Sequence, residues 1–153
     1  MEATLSPPLV LRDATREDLA EVVSLILPDS LSSHIEGAAD EAGPMRAFEA
    51  IEDDPNNQLA VAERDGKLIG TMQLTCIPQL TLHGGLLMQI ENVRVDSTLR
   101  SSGIGRQMIE WATGQARERG CAVVQLMSNG ERVRAFYEQL GLNQSHLGFK
   151  LVI

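Results

Sequence analysis

The stretch from Leu87 to Ala116 combines a strand pattern, a turn with two glycines and a helix pattern. Leu87 to Val95 is rich in β-branched and long apolar residues, a composition typical of a buried strand. After the turn, apolar residues recur at every fourth position, which predicts an amphipathic helix: Ile104, Met108, Ala112 and Ala116. Main-chain N–H groups at a helix N-terminus, with glycines beside them, can hold a phosphate group. The stretch therefore predicts a phosphate-binding turn that follows a buried strand.

The residues of this turn match neither of two common phosphate-binding motifs. It contains no G-x-G-x-x-G dinucleotide fingerprint and no Gly-Lys-Ser/Thr of a P-loop. The pattern V-R-V-D-x-x-x-R-x-x-G-I-G instead resembles the coenzyme A motif of the GNAT-family N-acetyltransferases, through Arg100, Gly103 and Gly105. A second block, Ala135 to Gly141, resembles the F-Y-E-x-L-G-F segment of that family. Two blocks in the family's order make the resemblance specific.

The resemblance implies an α/β (α+β) protein with one GNAT domain over residues 1–153. The expected fold is a mixed central β-sheet of about seven strands, splayed at the acetyl-CoA site and flanked by about four helices. The residue patterns agree along most of the chain: Asp65-Gly66 predicts a hairpin, and Leu147 to Ile153 predicts a last strand. Ala122 to Met127 is apolar without alternation, which predicts a strand buried on both faces.

Composition and charge restrict the class of partner. The chain has 153 residues and a formal net charge of −8, which argues against general affinity for nucleic acid or anionic membranes. No apolar run reaches the length of a membrane span, and no signal peptide is visible. Cys76 and Cys121 lie in apolar settings without metal-ligand spacing, so we expect reduced core thiols, no metal and a cytoplasmic protein.

The resemblance assigns acetyl-CoA to the central strand and the turn. Main chain near Val93 and Val95 is expected to bind the pantetheine arm and to polarise the thioester carbonyl, although both valines also suit a sheet core. The turn is expected to bind the pyrophosphate. The full implied cofactor-binding set is Val93, Arg94, Val95, Arg100, Ser101, Ser102, Gly103, Ile104, Gly105, Arg106, Asn129 and Phe136.

Two residues are candidates for proton transfer. Tyr137 matches the tyrosine that family members commonly use as the acid that protonates the thiolate of coenzyme A. Glu91 shares a strand face with Val93 under strict alternation, and a carboxylate in such apolar surroundings suits a base. The alternatives are a core tyrosine, a structural carboxylate and deprotonation by ordered water alone. Asn92 faces the other way unless a bulge shifts the register.

The expected reaction is direct transfer of acetyl, in a ternary complex, to a primary amine of a small molecule or peptide. His34 and His146 are candidate acceptor contacts, although each also suits a structural or surface position. The resemblance to the family also implies a possible homodimer, and no residue pattern in the chain requires one. The rival hypothesis is a non-catalytic acyl-CoA-binding regulatory module of GNAT-like fold.

Overall fold

A mixed five-stranded sheet carries the fold in our computed structural model, which describes residues 7–29, 42–128 and 130–153. The strands are β1 (Val10–Asp13), β2 (Asn57–Arg64), β3 (Lys67–Pro78), β4 (Leu86–Val95) and β5 (Cys121–Leu126). The α-helices are α1 (Leu19–Ile26), α2 (Gly43–Asp53), α3 (Ile104–Glu118) and α4 (Glu131–Gln139). Three short 3₁₀ turns cover Arg16–Asp18, Leu27–Asp29 and Ser97–Leu99. None of the helices in these ranges has the length and apolarity that crossing a membrane requires.

The strands lie in the order β1-β2-β3-β4-β5. The first three pairings are antiparallel, and the pairing of β4 with β5 is parallel because α3 carries the chain back across the sheet. The mixed α+β class expected from the sequence is therefore confirmed. The strand count of about seven is wrong, since the described residues form five strands.

The helices cover the two faces of the sheet. On one face Val22 of α1 packs with Val61 and Leu68, and α2 contacts β2. On the other face α3 turns its apolar stripe towards the sheet, and alternate residues of β2 and β3 point at it. This larger core contains three fully buried methionines, Met72, Met88 and Met108.

Local sequence signals set several of these elements. Asp65 and Gly66 have φ values of 53° and 72°, and they join Arg64 to Lys67 as a two-residue hairpin, as predicted. Asp18 accepts a hydrogen bond of 2.7 Å from the main-chain N–H of Thr15, as part of a capping box before α1. Gly141, with φ 87°, follows the end of α4.

Two predictions for the C-terminal third are wrong. β5 is not buried on both faces, because it lies at the edge of the sheet and Val123 is 38 % exposed. Residues 142–153 contain no strand, and Leu147 and Phe149 are 77 % and 89 % exposed. Alternation shows that a segment suits a sheet, but it does not show which strand will pair with it.

The sheet opens between its two parallel strands. The last paired residues of β4 and β5 are Ile90 and Leu126, and β4 continues for five residues beyond that point, to Val95. β4 thus continues without β5 beside it at the place where the splay is predicted.

Candidate functional site

The open end of β4 contains a β-bulge. Thr71 of β3 pairs with Arg94, and Gln73 pairs with Glu91, so Met72 alone lies opposite the two residues Asn92 and Val93. A bulge of this kind interrupts the ladder and turns local main-chain groups out of the sheet. Backbone polar groups are therefore available where β4 and β5 part.

Asn92 makes this bulge possible through its backbone conformation. Its φ is 52°, in the left-handed region that asparagine tolerates better than most other residues with a side chain. The bulge breaks the strict alternation of β4. This is the condition under which the sequence makes Asn92 a candidate for the site. Val93 and Val95 pack against the larger core, as valines of the sheet do.

The turn after β4 leads the chain into the N-terminus of α3. Asp96 accepts a 2.9 Å hydrogen bond from the main-chain N–H of Thr98 and another from its hydroxyl at 2.7 Å. These bonds hold the pKa of the Asp96 carboxyl below its usual value. Ser101 (φ 66°) and Gly103 (φ 82°) then turn the chain into α3. Gly103 is the N-cap residue and has no side chain, so it leaves the first N–H groups of the helix without a side-chain cap of its own.

The two glycines of this turn have different surroundings. A Cβ on Gly103 would meet nothing within 4 Å, but the positive φ favours glycine there. A Cβ on Gly105 would lie 3.4 Å from the ring of Phe136, which is an ordinary van der Waals contact, so the packing of Phe136 does not require glycine at this position.

Some polar side chains of the turn bond to the protein, and others are exposed to solvent. The Ser102 hydroxyl donates to the main-chain carbonyl of Leu99. Arg106 forms an exposed ion pair of 3.4 Å with Glu110, one helical turn further on. Arg100 and Ser101 are exposed. At the bulge, Arg94 is half-buried, and its Nη1 donates to the carbonyl of Val93 at 3.0 Å.

Tyr137 lies half-buried on the inner side of α4. Its ring meets that of Phe136 edge to face, with 5.0 Å between the centroids. Burial raises the pKa of the Tyr137 phenol above its ordinary value, and the positive charge of Arg94 opposes this with a smaller effect. Tyr137 is therefore protonated at neutral pH. Phe136 lies beside Gly105 of the turn, and Tyr137 packs against the larger core, as Val93 of the bulge also does.

The remaining predicted residues fall outside this arrangement or outside the description. Glu91 is exposed, so the burial expected from strict alternation is wrong, because the bulge changes the face after it. His146 is exposed on an irregular segment, where its Nδ1 lies 2.7 Å from the hydroxyl of Ser145. His34 and Asn129 lie outside the described residues. Within the described ranges, no group of three or more His, Cys, Asp or Glu side chains could hold a metal ion.

A cavity of about 300 Å³ lies on the opposite face of the sheet, between α1, α2 and the bulge. Ten of its lining residues are apolar, among them Val23, Ile26 and Phe48, and the two polar ones are Gln73 and Asn92. Sequence reasoning missed Gln73. The pairing of Gln73 beside the bulge, which cannot be seen in one strand alone, was the missing information.

Comparisons with known proteins agree with this geometry. Residues 20–142 match the model of the acetyltransferase (GNAT) family. An aminoalkylphosphonate N-acetyltransferase of Salmonella typhimurium is 32 % identical over 145 residues, which cover 94 % of this chain and 90 % of that protein. A glucosamine 6-phosphate N-acetyltransferase of Trypanosoma brucei brucei is 29 % identical over 134 residues, covering 81 % of this chain and 90 % of that protein.

Among solved structures, a transcriptional regulator from Bacillus halodurans C-125 superposes with a TM-score of 0.86 at 38 % identity. The superposition covers 95 % of this chain and 100 % of that one. The matched family model spans both the turn before α3 and the block around Tyr137. The chain belongs to the GNAT acetyltransferase family and is an N-acetyltransferase.

Proposed function

We propose that the chain transfers an acetyl group from acetyl-CoA directly to a primary amine, with both substrates bound together. One observation carries the proposal: the bulge, the turn before α3 and Tyr137 adjoin the same core cluster, through Val93, Leu99 and Tyr137. The three features come from separate elements, and each matches one requirement of acetyl transfer.

The residues present fit acetyl-CoA. The N–H groups at the start of α3 suit a pyrophosphate, because a helix N-terminus carries partial positive charge. The open stretch of β4 beyond Ile90 offers an edge to the amides of an extended pantetheine arm. When bound, acetyl-CoA supplies the acetyl group as an activated thioester.

Main chain at the bulge is assigned to carbonyl polarisation. A donor N–H fixed in a bulge does not need to reorganise as negative charge develops on the carbonyl oxygen, and this makes it effective. Asn92 holds the bulge through its positive φ, and Val93 anchors it in the core.

Tyr137 is assigned to protonate the departing thiolate. Its raised pKa keeps the phenol protonated across the neutral range, as an acid requires. Amine deprotonation is assigned to Glu91 or to ordered water. Glu91 is exposed and directly precedes the bulge.

The cavity at the bulge supports a small acceptor whose remaining part is uncharged and apolar. Its described lining has no charged side chain. The named substrates of the two curated relatives carry a phosphonate or a phosphate. Such groups require cationic partners, so we assign this chain an aliphatic or aromatic primary amine instead.

The test is thiol release from acetyl-CoA with a matched panel of amines. We expect kcat/KM to be higher for hexylamine and phenethylamine than for 2-aminoethylphosphonate and glucosamine 6-phosphate. Turnover that favours the phosphorylated amines would refute the acceptor class and leave the acetyl transfer intact. Calorimetric binding of acetyl-CoA without turnover on any amine would refute the proposed reaction.

The residue assignment has its own variants. Tyr137→Phe should lower kcat by about 10²-fold or more, since a positioned acid contributes about 10²–10⁴-fold, while binding of acetyl-CoA is retained. Glu138→Gln is the control, because Glu138 is on the exposed side of α4, paired with Arg134 at 2.9 Å. An unchanged kcat in Tyr137→Phe would remove the acid role from this residue.

A further inference from the structure

The cavity between α1, α2 and the bulge has a polar corner, formed by the side chains of Gln73 and Asn92. The other ten residues of its described lining are apolar. Gln73 pairs with Glu91 in the β3–β4 ladder, and Asn92 is the next residue along β4. The two polar side chains are therefore neighbours in the sheet. An amine with an apolar remainder would place its nitrogen in this corner.

The side-chain amide of Gln73 is held in one orientation by a chain of hydrogen bonds. Asn57 of β2 donates from Nδ2 to the carboxylate of Asp54 at 2.8 Å. Its other end, Oδ1, accepts from the Thr75 hydroxyl at 2.8 Å and from Nε2 of Gln73 at 3.4 Å. Because a carboxylate only accepts, it determines the direction of each amide along the chain. Gln73 is left with its carbonyl Oε1, which has no partner among the described residues.

A carbonyl oxygen suits the acceptor nitrogen in both of its protonation states. An ammonium group and a neutral amine each have N–H bonds that can donate to Oε1. The neutral amine then keeps its lone pair for attack on the thioester. An amide nitrogen in the same place would donate to that lone pair and oppose the attack. The orientation that Asn57 gives to Gln73 is therefore the one that the reaction requires.

The ladder also places Gln73 beside the candidate base. Directly opposed residues of an antiparallel pair project from the same face, with Cβ atoms about 4.5–5.5 Å apart. Gln73 and Glu91 are such a pair. A nitrogen bonded to Gln73 would therefore lie on the face from which the Glu91 carboxylate projects, where its proton can be removed directly or through one water.

We propose that Gln73 binds the acceptor nitrogen through Oε1, and that Asn57 is the positioning residue that orients Gln73. The proposal rests on the acetyl transfer proposed above and adds the side chain that holds its acceptor. The apolar part of the acceptor then extends from the polar corner towards Val23, Ile26 and Phe48.

The first experiment measures amine binding without turnover. Phenethylamine is titrated by calorimetry into the chain saturated with coenzyme A, which has no acetyl group to transfer. Gln73→Met keeps the length of the side chain and removes the oxygen, so the Kd of the amine should rise about 10-fold or more. The control is Gln79→Met, because Gln79 is half-buried just after β3 and outside the described cavity lining; its Kd should not change. Equal amine affinity in Gln73→Met and the unaltered chain would overturn the proposal.

The second experiment distinguishes positioning by Asn57 from a general loss of structure. Asn57→Ala should weaken amine binding, because the Gln73 amide can then turn Nε2 towards the cavity. In the Gln73→Met background the same change should have no further effect on the Kd of the amine, since it acts through Gln73. Equal effects in the two backgrounds would refute the positioning role.

Turnover separates this proposal from the reaction on which it rests. If both are correct, Gln73→Met raises KM for phenethylamine and leaves KM for acetyl-CoA unchanged. Turnover with the same amine KM in both chains would refute the role of Gln73 and leave the reaction intact. Amine binding that depends on Gln73, without any turnover, would refute the reaction and support the binding site.

Discussion

Alanine at two glycine positions should have opposite effects on stability, although the chemical change is the same. Gly70 lies in β3 beneath α3, and a Cβ there would lie 2.8 Å from Sδ of Met108 and 3.1 Å from the carbonyl oxygen of Arg94. Gly114 lies within α3, and a Cβ there would meet nothing within 4 Å. Neither glycine has a positive φ, so packing decides the difference.

The magnitudes follow from those distances. At Gly70 the methionine side chain can move aside, but the carbonyl belongs to β4 and moves only with the strand. Overpacking of this kind costs about 1–3 kcal/mol, so Gly70→Ala should reduce the free energy of unfolding by about that amount. At Gly114 alanine removes the cost of glycine in a helix interior, so stability should rise by about 0.5–1 kcal/mol.

Urea unfolding, followed by circular dichroism, measures both values on the same scale. With a slope of about 2 kcal/mol/M, the midpoint of Gly70→Ala should fall by about 0.5–1.5 M. The midpoint of Gly114→Ala should rise by about 0.25–0.5 M. A rise for both variants would show that the sheet and α3 relax without cost, which would refute the reasoning from close contacts.

Three further predictions concern charge, thiol reactivity and backbone strain. The 2.7 Å ion pair between Arg12 and Asp18 lowers the pKa of Asp18 to about 2. The stability that this pair contributes is therefore complete above the pKa of the unfolded carboxyl, about 4, and is lost as the pH falls towards 2. Asp18→Asn should therefore cost about 2 kcal/mol at pH 7 and almost nothing at pH 2 in denaturant titrations; a cost that does not change with pH would contradict this. Burial, with a hydrogen bond to Cys76 at 3.6 Å, raises the pKa of Cys121 to about 11, so iodoacetamide should alkylate it slowly at pH 7.5 until urea is added. Labelling at the same rate with and without urea would show an open thiol. Asn92→Ala should unfold about 1 kcal/mol more easily than Asn92→Gly, because a non-glycine residue is strained at positive φ; equal midpoints in urea would mean that the bulge relaxes.

Sequence reasoning succeeded where the cause is local. The Asp65-Gly66 hairpin requires two adjacent positive φ values, and the residue types that adopt them are few. The start of α3 is equally local, since Gly103 ends a polar turn and Ile104 begins the apolar stripe. These features depend on one segment and can be predicted from it.

The failures concern relations between segments. Alternation placed Glu91 on a buried face, but the bulge depends on how β3 and β4 align, so the actual exposure could not be predicted from β4 alone. Residues 147–153 have a strand pattern but form no strand, because the pattern does not show whether a sheet edge is available to them. The place of Gln73 in the cavity lining depends on two helices and two strands together, so it could not be predicted from one strand.

The methionine-rich core has a consequence for chemical ageing. Met72, Met88 and Met108 have no exposed surface, so oxidants reach their thioethers only when the sheet and α3 separate. A sulfoxide formed during such an opening is polar and larger than the sulfur it replaces. It would not fit the same close-packed space, so each oxidation event would trap a chain in the opened state. Sulfoxide content in these three residues would therefore accumulate as a chemical record of past unfolding.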